Sequence, residues 1–136
     1  MKTLRGWIVV SWMMLPGVMG GGSLLLRRLT VGDPDPFQAT WIRAFHAHGG
    51  VLIMMSLLYY MFLDRKTLST TTKHASCLVL FVGIAAQVAG LFLHAIAGQP
   101  GQGSAGTIVT LSGAVLITLA LIVLVYALLR KTKGQA

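Results

Sequence analysis

The sequence predicts an all-α integral membrane protein, a four-helix bundle with both the N and C termini in the cytoplasm. Three observations carry that reading. Of 136 residues, 55% are hydrophobic and only 10% are charged, with a mean hydropathy of +0.77. Soluble domains carry about a quarter charged residues, so this chain lacks the polar surface to enclose a water-soluble core. Four apolar runs each approach the roughly 20 residues that cross about 30 Å of hydrocarbon. The basic residues gather at the ends of those runs. In lipid, an open chain satisfies its backbone hydrogen bonds only as helix.

The expected spans are residues 6–26, 44–63, 75–97 and 105–129, forming a single domain. The first run, preceded by Lys2 and Arg5, has the form of a secretory signal and is read as an uncleaved anchor. Pro16-Gly17 should kink it, and Gly20-Gly21-Gly22 strips its outer third of side chains. Those glycines suit close helix packing or the flank of a flat cofactor. Residues 29–40, with Asp33-Pro34-Asp35-Pro36, read as a stiff turn segment, because residues before proline are pushed toward extended backbone. Residues 64–74 read as a polar inner loop, and 98–106 as a glycine-rich outer connector.

Orientation follows from charge. Lys2, Arg5, Arg65, Lys66, Lys73, Arg130, Lys131 and Lys133 lie on one side, and Arg27, Arg28 and Arg43 on the other. The positive-inside rule makes the first side cytoplasmic. Trp41 then falls at the outer interface, with Trp7, Tyr59, Tyr60 and Tyr126 as an inner aromatic belt. A net charge of +8 could point to nucleic acid, but basic residues placed at span ends are explained by lipid head groups and topology. The expected partner is the bilayer, not nucleic acid. The lone Cys77 excludes an intrachain disulfide.

The histidines are the chemical signal, because an ionisable group inside a bilayer is a functional hypothesis by default. His46 and His48 open the second run and His94 closes the third, all near the outer face. His74 precedes the third run on the inner side and reads as a solvated loop residue. Residues two apart on a helix point about 200° from each other, so only one of His46 and His48 faces the bundle. His48 is taken as the inward one, followed by Gly49-Gly50, and His94 shares a small and polar face with Gly83, Gln87 and Gly90. The two helices are expected to pack through Gly49, Gly50, Gly83 and Gly90.

The stretch Arg43-Ala44-Phe45-His46-Ala47-His48-Gly49-Gly50-Val51-Leu52-Ile53-Met54-Met55 resembles the second helix of heme-copper (cbb3-type) oxidase subunit I. It is also similar to short four-helix membrane relatives of that subunit. The resemblance implies a low-spin heme b near the outer face, with His48 at the axial position and His94, or His46, as the other ligand. Arg27, Arg28 and Arg43 would meet the heme propionates. The histidines that an oxygen-reducing centre needs are missing, so no catalytic residue is expected and oxygen reduction by this chain alone is not expected. The expected role is electron transfer, sensing, or service as a heme-bearing subunit of a respiratory complex in a bacterial or archaeal cytoplasmic membrane. The alternatives are a noncatalytic accessory subunit of a larger membrane complex, a homo-oligomer, and a copper or zinc handling protein. Met13, Met14 and Met19 are weaker candidates for a soft axial ligand.

Overall fold

The computed structural model describes residues 4–32 and 35–130, apart from the side chains of Arg28 and Leu29. Lys2, Asp33, Pro34, Lys131 and Lys133 lie outside the described residues. The described chain is four helices: α1 (Arg5–Val31), α2 (Pro36–Asp64), α3 (Thr70–Ala97) and α4 (Ala105–Leu129). Each is long and apolar enough to cross a membrane. The 65–69 connection and the start of α1 define one end of the molecule, here the lower end. The 32–35 and 98–104 connections define the upper end.

Three helix ends differ from the sequence reading. The upper connection is short, because α1 runs on to Val31 and α2 already begins at Pro36. The Asp-Pro pair that reads as a turn acts as a start signal instead. Pro36 occupies the first helical turn, where its missing N–H costs nothing, and Asp35 accepts a hydrogen bond from the Phe37 N–H at 3.1 Å. At the lower end α3 begins at Thr70, with the Ser69 side chain accepting from the Thr72 N–H. Lys73 and His74 therefore belong to a helix and not to a loop.

The helices do not close into a symmetric bundle. Contacts run in chain order, α1 on α2, α2 on α3 and α3 along α4, with α2 and α4 touching briefly. The α3–α4 contact is the tightest, and glycine explains it. A Cβ at Gly90 would lie 2.5 Å from the Thr110 nitrogen and 2.7 Å from the Gly106 oxygen, and one at Gly83 would lie 2.9 Å from the Ile117 nitrogen. Gly106 and Gly113 present the same bare backbone from α4. Small residues let helices approach this closely in lipid, where apolar burial drives nothing. The expected pairing of Gly83 and Gly90 with Gly49 and Gly50 is thus corrected. The α3 glycines face α4, and a Cβ at Gly49 or Gly50 would meet Val18 of α1.

The core sits in the lower half, where Leu4, Tyr59, Tyr60, Leu63, Cys77 and Leu80 are buried together. Tyr59 ties three helices there: its hydroxyl bonds with that of Ser76 on α3, and donates to the Ala120 carbonyl of α4 at 3.0 Å. Neither Tyr59 nor Tyr60 forms an interfacial belt; both are packed inside. Lys73, only 7% exposed, donates its ammonium to the Asp64 carbonyl at 2.8 Å. Its charge thereby meets the carbonyl-rich C-terminus of α2.

By contrast α1 is peripheral. Only 6% of its apolar span is buried. It is held by Leu4, by a 2.9 Å hydrogen bond between the Ser11 and Ser56 hydroxyls, and by Trp7, which packs on Tyr60 and Phe81.

Candidate functional site

The histidines take four different environments. Of the two histidines on α2, His46 is the one turned toward α1. Its ring covers the bare backbone of Gly22, where a Cβ would come 2.5 Å from Cε1. Its Nδ1 lies 3.0 Å from the Val18 carbonyl of α1. A carbonyl only accepts, so Nδ1 carries the proton and the neutral ring keeps its lone pair on Nε2. A backbone carbonyl holding one ring nitrogen while the other stays free is the arrangement that orients ligating imidazoles.

His48 points the other way. Its ring is exposed and its Nδ1 bonds back to the Ala44 carbonyl of its own helix at 2.9 Å. The sequence reading had the two reversed. The 200° separation was sound, but which histidine faces inward depends on the phase of α2 against α1, and that is set by Phe45 and His46 seating on Gly21 and Gly22.

His94 is buried, 7% exposed, and already engaged. Its Nδ1 lies 2.7 Å from the Ser104 hydroxyl, the residue that caps α4, and its ring meets Trp41 edge-on at 4.5 Å and Phe37 at 5.4 Å. It fastens the upper connection between α3 and α4 and anchors the first turns of α2. His94 is thus level with Trp41, while His48 lies two turns further along α2, about 10 Å away along the axis. The structure does not bring His48 and His94 into one site.

His74 is not a free loop residue. It accepts a hydrogen bond from the Trp7 indole nitrogen at 3.0 Å. Among the described residues, no three His, Cys, Asp or Glu side chains converge as a metal cage would require.

A large cavity adjoins His46. It is a groove of about 920 Å³ between α1 and α2, open toward the sides of the molecule. Trp12 and Val18 line it from α1, and His46, Gly50, Met54 and Met61 from α2. Among its lining side chains only the His46 imidazole and the Trp12 indole carry a nitrogen, so the groove has the room for a large apolar molecule and few polar groups to meet it. Arg43 is exposed two helical turns above Gly50, on the same face of α2. Arg27 is exposed near the end of α1, and the Arg28 side chain is outside the described residues. The lining thus offers a bound group one imidazole, that of His46, rather than two.

The sequence had no signal for the groove. Its walls are ordinary apolar side chains, and along that stretch α1 packs mainly against α2. Of the proposed methionine ligands, Met14 lines a second cavity, of about 330 Å³, on the α3 side of α1, while Met13 and Met19 are exposed.

Neither a protein-family model, nor a curated protein, nor a solved structure matches the chain, so the likeness of residues 43–55 to the oxidase subunit rests on those residues alone.

Proposed function

We propose that this is a small integral membrane protein that holds a b-type heme in the α1–α2 groove through His46. It would serve in electron transfer, in sensing, or as a heme-bearing subunit of a respiratory complex. The observation that carries this reading is the free Nε2 of an imidazole fixed by the Val18 carbonyl and bordering a large apolar groove. Heme would supply one-electron redox chemistry. The chain's own contribution is to orient the imidazole, to keep water away with Trp12, Met54 and Met61, and to offer Arg43 to a propionate at the groove's upper edge.

The visible spectrum of the purified protein tests this directly. A Soret band is expected in the native chain and should be lost in His46→Gly, then recover when imidazole is added to the folded variant. His48→Ala should leave the band intact. Absence of heme from the native protein, or full heme in His46→Gly without imidazole, overturns the reading.

A noncatalytic accessory subunit is the second reading. It is favoured by the outward side of α1, where Gly17 and Gly20 present backbone with nothing within 4 Å. Its mark would be copurification with a larger membrane complex in the absence of any heme.

A further inference from the structure

The lower end of α1 carries a contact that the heme reading does not use. The Trp7 indole nitrogen can only donate, so the Nδ1 of His74 that receives it must be unprotonated. Imidazole is the side chain whose charge ordinarily changes between about pH 5 and 8. A proton on Nδ1 would abolish the bond and leave two donors face to face.

We propose that Trp7 and His74 form a proton-operated latch that holds the lower end of α1 against α3. With His74 neutral, Trp7 is bonded and packed at a tilt against Tyr60 and Phe81, and Leu4 stays sealed in the core cluster that also holds Cys77. Protonation removes the acceptor and adds a charge to an end that is already cationic. Among the described residues, the charged groups there are Arg5 from α1, Asp64, Arg65 and Lys66 from the end of α2 and its connection, Lys73 from α3 and Arg130 after α4. Asp64 is the one acid among them. The lower end of α1 then loosens, while its upper part stays attached through His46 and Val18.

Two readouts test the latch on the whole chain. The first is the indole N–H resonance of Trp7 in protein labelled with ¹⁵N-tryptophan, assigned by its loss in Trp7→Phe. It should move as the pH falls from 8 to 5, and hold still in His74→Gln. The second uses Cys77, the chain's single thiol, buried in the same core cluster as Leu4. Its labelling rate, divided by the rate in the unfolded chain at the same pH, should rise at least about threefold between pH 8 and 5, the scale of one lost hydrogen bond. The same ratio should stay flat in His74→Gln. A Trp7 resonance indifferent to pH, an identical titration in His74→Gln, or a labelling ratio that does not rise overturns the proposal.

Discussion

The imidazole of His46 lies over the backbone of Gly22, so close that a single methyl group at that glycine would stand 2.5 Å from the ring. Gly22→Ala should therefore push the ring off its seat and weaken the bond to Val18. The expected cost is about 1–3 kcal/mol, the usual range for overpacking. Gly20→Ala is the control, since nothing lies within 4 Å of that position. Unfolding of both variants in detergent measures the contrast, and equal stability would remove the close approach as an explanation for Gly22.

The α3–α4 contact makes a stronger demand. A Cβ at Gly113 would meet the Gly83 oxygen at 2.6 Å and the Gln87 Cα at 2.8 Å, and both are backbone atoms that cannot swing aside. Gly113→Ala should cost at least about 2 kcal/mol, because the two helices must separate along their length. Crosslinking between cysteines placed across the contact would report the separation.

Ser104 serves two partners at once. Its hydroxyl accepts from the Thr107 N–H to start α4 and meets His94 at 2.7 Å. Ser104→Ala should lose about 1–2 kcal/mol, against about 1 for a cap alone. Ser104→Asp would keep the cap and place a carboxylate beside the imidazole. A mutant as stable as the parent would show that His94 finds another partner.

Sidedness is read by labelling. With Cys77 replaced by serine, cysteines at exposed Gln102 and Arg65 should label from opposite sides of the membrane. On the positive-inside rule the Arg65 side is expected to be the cytoplasmic one. Labelling of both from one side would contradict a crossing by α3.

The number of helices was legible from hydropathy, because nothing else forces four apolar runs long enough to span a membrane. The start of α2 was not: Asp35-Pro36 serves equally well in a turn and at the first turn of a helix, and only the chain's continuation decides. The small and polar face of Gly83, Gln87, Gly90 and His94 was legible as an interface, yet its partner was not, since α2 and α4 both offer glycines. The inward histidine was hidden for the same reason. An apolar helix in lipid has no wet side to mark its phase, and the phase of α2 is fixed by contacts with α1 that no single segment contains.

The glycine faces of α3 and α4 also divide the molecule mechanically. Backbone resting on backbone leaves no rotamers to rearrange, so that pair is stiff and α2 is pinned to it through Tyr59. Compliance is concentrated in α1, which has little buried surface to lose when it moves. A molecule dissolved in the bilayer could thus enter beside His46 by displacing one helix, without disturbing the three behind it.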